Sequence, residues 1–136
     1  MSIYGELINE SNVKDSIKSN IIREMMHILK FKYQSNRQSV SWINSIFDSS
    51  KNLNILCQQK SIHFIYDNNE LDKLYLKALR KASHETGINI SKFQPTRPIE
   101  FTIENLTNKE WIYNYLYPLA YSDEVRKMLD IAIKNK

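Results

Sequence analysis

The chain has 136 residues, 42% of them hydrophobic and 25% charged, with a formal net charge of +4. A chain this long builds one core that buries roughly two-thirds of the surface its unfolded form exposes, so two domains are not expected and neither disulfides nor a structural metal are needed for folding. Only 2 Gly and 3 Pro occur, far below the usual ~7% and ~5%, which excludes a turn-rich all-β domain and leaves no Gly-rich loop to cradle phosphates.

The expected fold is therefore all-α, a small multi-helix bundle. A first helix is read from about Ser11, its N-cap, to Tyr33, because Val13, Ile17, Ile21, Met25 and Ile28 recur at helical spacing. Ser39 or Ser41 opens a second helix running to Leu56, with Ile43, Ile46, Phe47 and Leu53 on one side. Its polar middle, Asp48 to Asn52, is expected to fray.

Ser61 is read as the cap of a third helix ending at Gly87, a residue suited to the left-handed conformation past a helix C-terminus. Its apolar positions change phase around Asp67 to Asn69, and continuity through that stretch is favoured over a break. Gln94-Pro95-Thr96-Arg97-Pro98 is a non-helical connector, since each proline disfavours helix for itself and its predecessor. Beyond it Thr102 caps a short helix to Leu106, Trp111 to Tyr117 is aromatic-rich and stopped by Pro118, and Ser122-Asp123-Glu124 opens a last helix, giving a C-terminal helical hairpin. The period-two alternation of Trp111, Tyr113, Tyr115 and Tyr117 means that one helix cannot bury all four, so they form either an exposed patch or a strand or packed hairpin.

The single cysteine, Cys57, fits a reducing compartment, so a cytoplasmic location is expected. Residues 1–10 carry Glu6 and Asn9 where a secretory signal needs an apolar run, and no segment reaches the ~18 uninterrupted apolar residues of a membrane span. The histidines His27, His63 and His84 follow no zinc-ligand spacing, so no metal and no cofactor are expected.

Projected at ~100° per residue, Arg23, His27, Lys30 and Gln34 share a polar strip opposite the apolar stripe of the first helix. A histidine between two cations has its protonated form disfavoured, which leaves a neutral imidazole near pH 7. The plainer reading is a solvated face, or a polar seam against the third helix. Lys30 to Arg37 interleaves three cations with two aromatics, a composition that suits single-stranded nucleic acid, although Tyr33 at helical spacing joins the core-facing side.

The run His27-Ile28-Leu29-Lys30-Phe31-Lys32-Tyr33-Gln34, followed by Arg37-Gln38-Ser39-Val40-Ser41-Trp42, resembles a bacterial family, domain of unknown function family 29. Tyr75, Ala78, Glu85-Thr86-Gly87 and Phe93 with Pro95 match later parts of its pattern, so the resemblance covers about Ile17 to Trp111. Members usually begin with an acidic and aromatic segment that this chain lacks, and residues from about Leu119 to Lys136 look like an extension. The resemblance implies an all-α fold and brings no established activity, cofactor or catalytic residue.

The leading functional expectation is a non-catalytic bacterial or phage protein that binds a protein partner, a toxin or effector, and regulates or neutralises it as an immunity protein, antitoxin or inhibitor does. Its contact residues are expected among Arg23, His27, Lys30, Gln34, Arg37, Trp111, Tyr113 and Tyr115. For a basic partner, an acidic patch is expected at Asp67, Glu70 and Asp72, or at Glu100, Glu104 and Glu110. The alternative is nucleic-acid binding or RNA processing on the basic strip, with His27 as general base and Lys30 stabilising a developing anion.

Overall fold

The computed structural model describes residues 3–58 and 67–135, with side chains from residue 12 onward. Among these residues it contains six α-helices and no strand. They are α1 (Ile3–Tyr33), α2 (Val40–Cys57), α3 (Asn68–Thr86), α4 (Ile103–Leu106), α5 (Lys109–Leu116) and α6 (Asp123–Asn135). The long α1 is the spine, packed against both α2 and α3, while α6 rests on α2 and α5.

α1 begins well before Ser11, at Ile3. Ser11 lies inside the helix and is not its cap, because once a helix is nucleated two weak formers such as Ser11 and Asn12 do not stop propagation. Ile17, Ile21, Met25 and Ile28 are fully or almost fully buried, and from Glu24 to Phe31 most of the circumference is enclosed. α2 starts where Ser39 accepts a hydrogen bond from the Trp42 amide at 3.2 Å. Its middle is not frayed: Ser49 and Ser50 are buried, small enough to sit in the helix interface beside Ile46, Phe47 and Leu53.

The expected continuity of the third helix fails at Asp67. Its backbone is extended (ψ 179°) and its carboxylate caps α3 by accepting from the Glu70 amide at 3.0 Å. A short acceptor side chain at this position satisfies an orphan amide and starts a new helix, which outweighs propagation through the Asp-Asn-Asn run. The proposed cap Ser61 lies outside the described residues, as do Ile62, His63 and Ile65. α3 buries Leu71, Leu74, Tyr75, Ala78, Leu79 and Ala82. It ends at Gly87, whose φ of +73° is the left-handed conformation expected of it.

The proline connector is non-helical, as read from the sequence, and α3 and α1 hold it in place. Tyr33 packs against Phe93 at 4.9 Å between ring centroids, and its hydroxyl accepts from the Gln94 amide at 3.1 Å. Tyr75 donates to the Gln94 carbonyl at 2.6 Å. The Arg97 guanidinium reaches Asp72 at 2.8 Å, the Phe101 carbonyl at 2.7 Å and Asn68 at 3.2 Å.

Residues 111–117 are helical rather than a strand, apart from Tyr117, which opens a 3₁₀ turn with Pro118 and Leu119. Asn108 decides this by accepting from the amides of Glu110 (3.0 Å) and Trp111 (3.1 Å), and Ile112 and Leu116, four apart, supply the buried face. The alternating aromatics therefore pair four residues apart: Trp111 stacks on Tyr115 at 5.1 Å, and Tyr113 meets Tyr117 at 5.3 Å. α5 and α6 form the expected helical hairpin. Val125, Leu129 and Ala132 of α6 belong to the same buried cluster as Ile17 and Phe47.

Candidate functional site

α1 and α3 leave a groove of about 480 Å³ between them. Ile22, Arg23, Met26 and His27 line it from α1, and Lys81 and Glu85 from α3. The strip read from the sequence is thus in part the polar seam against the third helix that was its plainer interpretation.

Within the groove, His27 places Nδ1 2.9 Å from the Arg23 carbonyl, four residues back on its own helix. A carbonyl oxygen only accepts, so in the neutral ring Nδ1 carries the proton and Nε2 keeps a free lone pair. Burial is the main influence lowering the His27 pKa; Lys30 and Arg23 push the same way, while the Arg23 carbonyl and Glu85 oppose them. The direction agrees with the sequence argument, but desolvation outweighs the neighbouring cations.

Lys30 occupies a different environment. It is almost buried and donates to Glu85 at 2.9 Å, with its ammonium 4.9 Å from the Trp42 ring centroid. The Glu85 carboxyl is held below the usual carboxylate range by that hydrogen bond, against an opposing push from partial burial. The Lys30 charge is committed to this pair and packs as a structural member of the α1–α3 interface. Gln34 and Arg37 sit past the groove, around the 3₁₀ turn Ser35–Arg37 that ends α1.

Trp111, Tyr113 and Tyr115 do not line the groove. Trp111 and Tyr115 lie edge-on to Phe101 at 6.1 and 5.7 Å, and Phe101 in turn meets Tyr75 at 6.3 Å, so these rings join the connector to α3 and α5. Tyr113 donates its hydroxyl to Asp130, which pushes its pKa up to about 12. The more exposed aromatics of the hairpin are Tyr117 and Tyr121, of which the sequence reading singled out only Tyr117, within the alternating run.

One feature of this face went unread in the sequence. Lys73, Lys77, Arg80, Lys81 and His84 are exposed and fall within about 100° of arc on α3, a stripe about 16 Å long. None of Lys73, Lys77, Arg80 or Lys81 forms an ion pair with a carboxylate among the described residues. The signal lay in their i, i+4, i+7, i+8, i+11 spacing, opposite the Leu71, Leu74, Ala78 and Ala82 stripe. Arg23 stands on the facing edge of the groove and extends the positive surface to α1.

Of the acidic patches considered for a basic partner, the one at Asp67, Glu70 and Asp72 is tied to its own surroundings. Glu70 pairs with Lys18 at 3.7 Å, Asp72 with Arg97 at 2.8 Å, and Asp67 caps α3. Glu104 and Glu110 border a second cavity, of about 500 Å³, beside Lys51 and Lys109. Among the described residues no group of three or more His, Cys, Asp or Glu is arranged to hold a metal, and no helix is long and apolar enough to cross a membrane. Burial pushes the Cys57 thiol up, away from the thiolate form.

Glu24 of α1 is completely buried, and neither its carboxyl oxygens nor the hydroxyl of buried Ser49 on α2 has a hydrogen-bond partner among the described residues. Burial raises its pKa well above the carboxylate range. The sequence reading did not single out Glu24, which sits one residue from Met25 in the apolar stripe.

Compared with known proteins, residues 6–112 match a family model described as Domain of unknown function DUF29. The match starts ahead of the expected boundary at Ile17 and ends beside Trp111, so the second half of α5 and all of α6 follow it. No curated protein and no solved structure matches the chain.

Proposed function

Starting from the fact that the chain belongs to the DUF29 family, we propose that it is a protein-binding domain that regulates or neutralises an acidic protein partner through the α1–α3 face, in the manner of an immunity protein, antitoxin or inhibitor. The observation that carries this reading is the stripe of Lys73, Lys77, Arg80 and Lys81, exposed and without carboxylate partners among the described residues. Free cations on one face raise the on-rate and orientation of an oppositely charged partner.

Leu76, 43% exposed, flanks the stripe and offers the apolar contact that protein interfaces place beside charge. No Phe, Tyr or Trp lies among the exposed residues of α3, and single-stranded nucleic acid relies on such rings for base stacking. The pairing of Glu70 with Lys18 and of Asp72 with Arg97 also favours an acidic partner over a basic one at this end of α3. The test is isolation of a stoichiometric protein complex from extracts of the cells that make this chain. The complex is expected to be lost with Lys77→Glu/Arg80→Glu and retained with Lys127→Glu/Lys134→Glu on α6.

A further inference from the structure

We propose that the groove between α1 and α3 is a binding site for an organic phosphomonoester, its phosphate held by Arg23 and Lys81 and its acidic proton given in a hydrogen bond to His27 Nε2. The inference is independent of whether the α3 stripe docks a protein.

Three features of the groove select this chemistry. Arg23 and Lys81 stand on opposite walls, one from each helix, and neither forms an ion pair with a carboxylate among the described residues. The one carboxylate at the groove, Glu85, is already neutralised by Lys30 at 2.9 Å, so the site carries an excess of positive charge. An anion is therefore the ligand that the groove favours.

His27 narrows the class. Its Nδ1 is committed to the Arg23 carbonyl at 2.9 Å, on its own helix, so the free ring edge is Nε2, an acceptor. An anion suited to this edge must also bring a proton donor. A phosphomonoester, whose second ionisation lies near pH 6, supplies a P–OH from its monoanion, whereas a sulfate ester or an ionised carboxylate supplies none. The floor of the groove is Ile22 and Met26, apolar contact for the organic part of the ester, and about 480 Å³ lies within the range of small-ligand pockets.

The experiment is an NMR titration of the full chain near pH 6.5 with phenyl phosphate, phenyl sulfate and inorganic phosphate, following the His27 ring nitrogens. Phenyl phosphate is expected to shift Nε2 saturably and to bind about tenfold more tightly than phenyl sulfate, the worth of one charge-assisted hydrogen bond. It is also expected to bind more tightly than inorganic phosphate. Exposed Arg23 can be changed without disturbing the core, so Arg23→Gln is expected to weaken phenyl phosphate about tenfold with the fold intact by circular dichroism. In His27→Phe the preference over sulfate is expected to vanish. Equal affinity for the two phenyl esters, inorganic phosphate binding as tightly as phenyl phosphate, or no saturable shift overturns the assignment. Retention of a protein complex by a chain that fails these titrations would leave the proposed function standing and this inference refuted.

Discussion

Lys30 and Glu85 lie 55 residues apart in the chain, and their side chains meet at 2.9 Å across α1 and α3. The pair is asymmetric: the Lys30 side chain is 10% exposed and the Glu85 side chain 43%. Removing Glu85 therefore leaves a cation in a nearly dry position, where it depends on Trp42 alone. Glu85→Ala is expected to cost about 1–2 kcal/mol in urea unfolding. Because the folded Glu85 pKa is depressed, its contribution is present above the unfolded carboxylate range and is lost as pH falls through the folded value. The difference between wild type and Glu85→Ala should accordingly shrink in acid, and a difference that is the same at pH 7 and pH 3 would rule out the ion pair as its source.

Glu24 works in the opposite sense. Its folded pKa is raised by burial, so the native chain holds a proton that the unfolded chain releases. Stability then falls as pH rises through the window between the unfolded carboxylate value and the folded one. Glu24→Met keeps an unbranched side chain in the apolar interface and removes the penalty. It is expected to raise stability at pH 7 and above by about 1–3 kcal/mol, with little gain below pH 4. Chemical denaturation at a series of pH values reads this directly, and a loss of stability at pH 8 would show that Glu24 is paired.

A third prediction concerns Gln38, which bridges the turn after α1 to the C-terminal hairpin. Its Nε2 donates to the carbonyls of Phe31 (2.9 Å) and Leu119 (2.8 Å), and its Oε1 accepts from the Tyr121 amide at 2.7 Å. Gln38→Ala is expected to destabilise the chain by about 1–2 kcal/mol, since two partly buried carbonyls and the exposed Tyr121 amide lose their partner together. Hydrogen exchange should quicken at residues 119–126 before it does in α1. Uniform acceleration along the chain would mean that the hairpin has no separate opening.

These tests touch what the sequence conveyed unevenly. Helix positions followed from local chemistry: Ser39, Thr102 and Asn89 accept hydrogen bonds as caps, of which Ser39 and Thr102 were legible by type and place, and Gly87 takes the left-handed conformation read from its position. The break at Asp67 was visible as a phase change, and only the cap geometry decided it. Tertiary partners were harder to read. Nothing local distinguishes Lys30, committed to Glu85, from Arg23, seven residues earlier on the same strip yet exposed. Glu24 stands seven residues after Ile17 and four before Ile28, inside the apolar stripe itself, and was passed over because a carboxylate is ordinarily solvated. The α3 stripe was legible and overlooked, its cations being spread among apolar residues that face the other way.

His27 supplies a fourth prediction. With its folded pKa lowered, chiefly by burial, the native chain resists its protonation. Its contribution to stability is then largest above the unfolded histidine range near 6.5 and declines as pH falls below it. Long-range ¹⁵N–¹H spectra at pH 7 are expected to show the neutral ring with the proton on Nδ1, held by the Arg23 carbonyl. A ring protonated on both nitrogens at pH 7, or carrying its proton on Nε2, would contradict the groove chemistry.

The most direct measurement of the central claim is calorimetric titration of the captured partner, once purified, into the wild-type chain and into Lys77→Glu/Arg80→Glu. If the α1–α3 face is the interface, the double reversal weakens binding at least about tenfold, a loss of ~1.4 kcal/mol or more, while Lys127→Glu/Lys134→Glu changes it little. Equal affinity for all three chains, or captured material that disappears on nuclease treatment, would contradict the claim.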